Sequence, residues 1–289
     1  MTVFSPLGPR KTSAAWLRSL LLAVPLLGAA ALVQAQTGAD TPLVFAVNEG
    51  ITYRVNPMAT IDRFKDVSDD LTKLLKRPVK VQPVTDYKEL ASGLADKRYD
   101  LAWVHPAHHS IRAMSGSGYQ LVALTKGFTE YRASFMVRSD SAFKTLADLK
   151  TSKIGAPDED SITSVIMRAS LRDAFGPQSL PTTYVRLQDA VPFMVENNFV
   201  GAGVSASRSV VKAWQDKGGK VVFTSRPVPI KHLIASSKIS DAQRTQVAEY
   251  FVGLDQSPEG KKRLEALGVQ GFVAGDPAAL AGIGKWLGL

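Results

Sequence analysis

Three hydroxyl residues, Ser161, Thr163 and Ser164, cluster directly after the acidic run Asp158-Glu159-Asp160 and just before an apolar segment with helical spacing. A helix start leaves several backbone N–H groups unpaired and carries partial positive charge, so hydroxyls placed there can complete an oxyanion site without a basic side chain. Plain capping by Asp160 or Ser161 would account for one hydroxyl of the three. A second cluster is His105, His108 and His109, behind Trp103-Val104. Imidazoles three or four residues apart share a helix face and suit zinc, copper or nickel. Pro106, however, turns His105 away from the other two, and no carboxylate pair completes a ligand set. No metal and no cofactor are therefore expected. His105 is expected to line a cleft and to donate to an anion, more strongly below neutral pH. Gly203-Val204-Ser205-Ala206-Ser207 breaks the nucleophile-elbow pattern at its last position. HExxH, P-loop and dinucleotide motifs are absent, so the chain reads as a binder and not as an enzyme.

The elements that must position these residues alternate in type. Short β-branched runs at 43–47, 79–84, 101–104, 121–125 and 134–138 are interleaved with helical patterns at 57–76, 87–95 and from 106. Asn56 before Pro57 supplies an N-cap and a first-turn proline. The grammar then repeats, with strands at 153–156, 183–186, 200–204, 221–224 and 232–235, and helices at 162–175, 190–197, 207–217, 241–254, 258–267 and 277–287. Two such blocks predict an α/β protein of two lobes around a cleft, with ligand beyond the carboxyl ends of the strands. Chain crossings are expected near 131–137 and near 224–231, the second stiffened by Pro227 and Pro229.

Arg10, Lys11 and Arg18 precede the apolar run 20–33, and Val33-Gln34-Ala35 offers small residues at the two positions a signal peptidase reads. A basic start, a short apolar middle and a small-residue exit predict a secretory signal at 1–35, cleaved after Ala35. The formal charge is +9, of which three positive charges lie in that signal, leaving +6. Such a balance favours anionic ligands, and no dense basic run or aromatic-basic platform indicates nucleic acid. The chain has no cysteine, which excludes disulfides, thiolate metal sites and a thiol nucleophile.

Tyr99-Asp100-Leu101-Ala102-Trp103-Val104-His105-Pro106 resembles the "D-L-A-W-x-x-P" block of the phosphate/phosphite/phosphonate substrate-binding proteins of ABC transporters. Tyr131 to Ser141 resembles that family's "Y-x-S-x-x-V-x-x-D-S" stretch. Leu146-Ala147-Asp148-Leu149-Lys150 and the 161–164 hydroxyls follow in the family's order. The resemblance implies a periplasmic binding protein of the Venus-flytrap type 2 class with two crossovers. Lobe 1 would take 36–132, lobe 2 133–226, and 227–289 would return to lobe 1 and end in helices. It further implies that Tyr53, Tyr131, Ser134, Ser161, Thr163 and Ser164 contact the ligand.

Departures from the family pattern bear on the ligand. Ile162 and Ser164 stand at the second and fourth places of a cluster usually reading S-T-S-G, and Gln188 replaces a histidine. Gly201 replaces an aspartate that holds an ammonium group, which argues against 2-aminoethylphosphonate. His105 and His109 replace a small residue and a tyrosine. The expected site is thus Tyr53, His105, Tyr131, Ser134, Ser161, Thr163, Ser164 and Gln188. The expected partners are a small anion and an ABC permease, with the protein acting as a periplasmic monomer. A periplasmic sensor feeding a receptor kinase stays open as the alternative.

Overall fold

The structure is a computed structural model, and it describes residues 41–50 and 56–289. Strand β1 (Leu43–Asn48) is buried along almost its whole length. Helix α1 (Pro57–Leu75) starts as its sequence predicts, with Asn56 Oδ1 accepting from the Met58 N–H at 2.9 Å and Pro57 in the first turn. Its Phe64, Val67, Leu71 and Leu75 recur at helical spacing and form the buried stripe. Strands β2 (Val79–Pro83), β3 (Leu101–Val104) and β4 (Gln120–Thr125) follow, with helices α2 (Tyr87–Ala95) and α3 (Ala107–Gly116) between them.

The second block comprises β5 (Ser134–Val137), β6 (Ile154–Pro157), α4 (Ile162–Phe175), β7 (Thr182–Val185), α5 (Ala190–Glu196), β8 (Ala202–Ser205), α6 (Arg208–Asp216) and β9 (Lys220–Thr224). The chain then runs through β10 (His232–Ala235), α7 (Asp241–Gly253), α8 (Pro258–Leu267), β11 (Phe272–Val273) and α9 (Pro277–Leu287). Two sheets result, in the orders β11-β4-β10-β3-β1-β2 and β7-β6-β8-β5-β9. In the first, β10 runs antiparallel between β3 and β4. In the second, β5 runs antiparallel between β8 and β9. This is the α/β architecture that the sequence predicts, with both sheets mixed.

The chain passes between the sheets twice, at 126–133 and at 225–231. These passages are laced to each other. Tyr131 and Val228 exchange both backbone bonds, Ile230 N–H donates to Phe128 O, and Ser225 N–H donates to Ala133 O. Lacing satisfies backbone groups that would otherwise be stranded away from any sheet. The end of α9 straddles both blocks and does not stay with the first. Trp286 Nε1 donates to Asp173 on α4 at 2.6 Å, while Gly284 lies so close to Ile111 of α3 that an added Cβ would sit 2.6 Å from its Cγ2. Close packing against two partners outweighs chain order here.

The first core is built on aromatic rings: Phe45 meets Phe64 and Phe251 edge-on, and Phe272 meets Phe251 at 4.9 Å between centroids. Among the described residues no helix is long and apolar enough to cross a membrane. Two details depart from the sequence expectation. The strand expected at 200–204 starts at Ala202, because Asn198 takes a left-handed turn and the Gly201 N–H is spent on Lys153 O. The two-residue β11 carries no periodic signal at all.

Ser225 is the side chain that ties the crossover ends. It is buried, its Oγ accepts from the Ala133 N–H at 3.0 Å, and it donates to Arg226 O at 2.9 Å. Ser225→Ala leaves a buried N–H unpaired and should lower the unfolding free energy by about 1–3 kcal/mol, read from urea midpoints. An unchanged midpoint would show that water replaces the hydroxyl.

Candidate functional site

The carboxyl ends of β6, β7 and β8 and the amino end of β5 converge on one side of the second sheet. Across the register, Ser134 stands beside both Ser205 and Thr224, so three hydroxyl residues form a row along the sheet end. Ser134 Oγ and Thr224 Oγ1 are 3.3 Å apart. This row opens into a cavity of about 870 Å³ whose lining includes His105, Tyr131, Ser134, Gln188, Ser207 and Thr224.

Gln188 organises that lining. Its Oε1 accepts from Ser205 Oγ at 2.9 Å, from the Ala206 N–H at 2.7 Å and from the Ser207 N–H at 3.0 Å, at the start of α6. Three donors on one atom assign it as the carbonyl oxygen, so the amide nitrogen must face the other way. Nε2 donates to Tyr131 Oη at 3.2 Å, and Tyr131 Oη lies 2.8 Å from Thr163 Oγ1. Tyr131 Oη accepts from Gln188 on one side and stands within hydrogen-bond distance of Thr163 on the other. A chain of neutral donors thus runs from the start of α6 to the start of α4.

The structure brings four of the expected residues to the cavity: His105, Tyr131, Ser134 and Gln188. Thr163 is fully buried and reaches it only through Tyr131. Ser161 and Ser164 are turned to one another. Ser161 caps α4 by accepting from the Ser164 N–H, its Oγ donates to Ser164 Oγ at 3.2 Å, and Ser164 Oγ donates to Pro157 O at 2.9 Å. Their hydroxyls are consumed in closing the turn, so of the three clustered hydroxyls only that of Thr163 is linked to the site, through Tyr131. Tyr53 and the 1–35 segment lie outside the described residues.

His105 reaches the cavity, but not as the expected donor. Its Nδ1 lies 3.0 Å from Ile230 O, and a carbonyl only accepts, so the proton sits on Nδ1. The neutral ring then offers Nε2 as an acceptor. Burial pushes its pKa down to about 4, against the bond to Ile230 O, so it does not charge near neutrality. Gly50 fixes its position: with φ of 93°, a Cβ there would lie 2.6 Å from His105 Cδ2.

All four histidines are buried in one region. His108 and His109 stack at 4.2 Å between centroids, and neither His108 Nδ1 nor His109 Nε2 has a hydrogen-bond partner among the described residues. His232 Nδ1 lies 2.7 Å from Ser110 Oγ and Nε2 lies 3.1 Å from Pro229 O. Among the described residues no group of three histidine or carboxylate side chains is arranged to hold a metal ion. Lys231 lies beside them, also buried, with Nζ 4.3 Å from the Phe128 ring centroid and 4.9 Å from that of Trp103. Burial brings its pKa down to about 8, opposed by the Glu49 carboxylate.

Sequence reasoning missed Ser205, Ser207, Phe128, Thr224 and the α6 face that completes the cavity. Ser205-Ala206-Ser207 lies between the end of β8 and the start of α6. The rule that singles out 161–164, hydroxyls between a strand end and a helix start, applies equally to it.

Residues 50–280 match the family model described as the periplasmic phosphonate substrate-binding protein of ABC transporters. The chain belongs to that family. Its role is therefore solute binding for small anions, and the family is periplasmic. Among solved structures, PhnD1 from Prochlorococcus marinus in complex with methylphosphonate has a TM-score of 0.60 at 16% identity, covering 84% of this chain and 96% of its own. A binding-protein component of an ABC phosphonate transporter from Pseudomonas aeruginosa has a TM-score of 0.56 at 19% identity, covering 86% of both chains. XAC2383 from Xanthomonas citri, solved with ATP, has a TM-score of 0.68 at 13% identity, covering 86% of this chain and 98% of its own. At these identities the likeness is one of fold.

The histidines of this binding protein make a stability prediction. His105, His109 and His232 are each pushed down to about 4 by burial, and His108 is lowered too. As pH falls below the ordinary value of about 6.5, the unfolded chain takes up protons that the folded chain refuses, so stability drops in the window from there to about 4. Going from about pH 7.5 to 5.5 should cost about 1 kcal/mol per histidine in urea unfolding. A flat profile over that range would contradict the neutral buried assignments.

Proposed function

We propose that this protein captures a phosphonate-type oxyanion in the cavity between its sheets, with Tyr131, Ser134 and Gln188 as the contacting donors and Thr163 holding Tyr131 in place. The observation that carries the reading is the orientation of Gln188. Its carbonyl oxygen is saturated by three donors, so its N–H face is presented to Tyr131 and the cavity. A carboxamide fixed in this way is a donor at every pH, unlike the histidine it replaces. Hydrogen bonds from such groups to an ionised oxygen contribute about 1.5–3 kcal/mol each. They cost little reorganisation, because the donors are already aligned by the protein.

Electrostatics favour the same ligand class. The ammonium of Lys231 is buried behind Phe128, which itself lines the cavity. A positive charge in a low-dielectric wall attracts anions without having to touch them. His105, carrying its proton on Nδ1, can accept from the hydroxyl of a singly protonated phosphonate through Nε2.

The cavity draws on the first block through His105 and on the second through Gln188 and Ser134, with Tyr131 at the crossover. A ligand held by both blocks stabilises the closed arrangement over any open one by its differential affinity. The laced crossovers are where such motion would be absorbed. In this reading the protein is exported by cleavage behind Ala35, works as a monomer in the periplasm, and delivers the closed, loaded form to an ABC permease.

Tyr131→Phe keeps the ring and removes the hydroxyl that links Gln188 Nε2 to Thr163 Oγ1. Its affinity for methylphosphonate, measured by isothermal titration calorimetry, should fall about tenfold or more. Affinity equal to that of the unaltered protein would place the oxyanion elsewhere.

A further inference from the structure

The cavity is far larger than a small phosphonate. Five heavy atoms fill at most roughly 150 Å³ at the ~30 Å³ that a water-sized group occupies, against about 870 Å³ here. One wall is formed by a helix. Arg208, Val211, Lys212 and Gln215 of α6 all line the cavity, and their spacing puts them on a single helix face. From Arg208 to Lys212 the face rises about 6 Å, and to Gln215 about 10 Å, leading away from Gln188 at the start of the helix.

The chemistry of this face is specific. Leu187 is a large apolar side chain left 45% exposed, and it borders the cavity together with Val211, Phe128 and Ile230. Three cations line it too. Arg132 is held by Glu130 at 3.1 Å and Lys212 by Asp216 at 2.7 Å, while Arg208 has no carboxylate partner among the described residues. Asp189 is the other acid of the lining, at the start of α5. Arg208 stands in the first turn of α6, where its charge opposes the helix dipole. Arg208 is exposed at the edge of the cavity and is available there to an anionic group.

We infer that the ligand is a phosphonate with an extended tail, whose apolar part lies along Leu187 and Val211 and whose far end carries a second anionic group read by Arg208 and Lys212. This rests on the oxyanion head binding at Gln188 and Tyr131, as proposed above. Methylphosphonate would then be a fragment of the ligand and not the ligand itself.

The test is calorimetric titration of the full mature protein with methylphosphonate, hexylphosphonate and phosphonohexanoate. The expected order is phosphonohexanoate tightest, by about tenfold over hexylphosphonate, since a charge-linked hydrogen bond carries that much. In the variant Arg208→Ala with Lys212→Ala, both on the exposed helix face, that ratio should collapse toward one while hexylphosphonate still binds. If methylphosphonate binds and the longer compounds bind equally or more weakly, or if the ratio survives the double substitution, the tail inference is overturned and the head site stands. Binding of none of the three overturns the head site, and the tail with it.

Discussion

The carbonyl oxygen of Gln188 sits in a nest of three donors where β8 gives way to α6, and much of the site follows from that one contact. Without it, the Ala206 N–H and the Ser205 hydroxyl would be left short of a partner next to the cavity, and the Ser207 N–H would keep only Ser205 Oγ. With it, the amide cannot turn over, its nitrogen must face Tyr131, and Tyr131 Oη stands within hydrogen-bond distance of Thr163. A residue from the loop after β7 therefore couples the starts of α4 and α6 to the crossover segment that carries Tyr131. The cavity gains donors whose direction is set before any ligand arrives.

Neutral donors suit a binding protein that must both capture and release. A direct ion pair buried between the blocks would bring a large desolvation cost on opening and closing. Here the charge that favours an anion is set back: Lys231 is buried behind Phe128, and the three α6-side and crossover cations lie toward the outer wall. The histidines fit the same pattern. Each is buried in its neutral form, and His105 spends its proton on Ile230 O, so the site keeps its character across the neutral range.

The fold was largely legible in the sequence because it rests on periodicity. The α1 stripe, the Asn56-Pro57 start and the two strand-helix blocks all follow from spacing that local sequence displays. Where the structure differs, non-local contacts decide. The β8 start is set by a bond from Gly201 to Lys153, and α9 is placed by side chains of α3 and α4 far away in sequence. The site was legible only in part. Spacing pointed to a strand end and helix start at 161–164, but could not tell that Ser161 and Ser164 would close the turn on each other. It did not distinguish a histidine that donates to an anion from one whose proton goes to a backbone carbonyl 125 residues away. The row of Ser134, Ser205 and Thr224 arises from sheet register, which no local pattern encodes.

An oxyanion resting against Gln188 and Tyr131 is tested most directly by a crystal structure of the protein grown with methylphosphonate. The expected result is a phosphonate group whose oxygens lie about 2.7–3.2 Å from Gln188 Nε2 and Tyr131 Oη, with the Gln188 carbonyl still in its nest at the start of α6. A phosphonate bound against Ser161 and Ser164 instead, or a Gln188 amide turned over with its nitrogen toward Ser205, would contradict it.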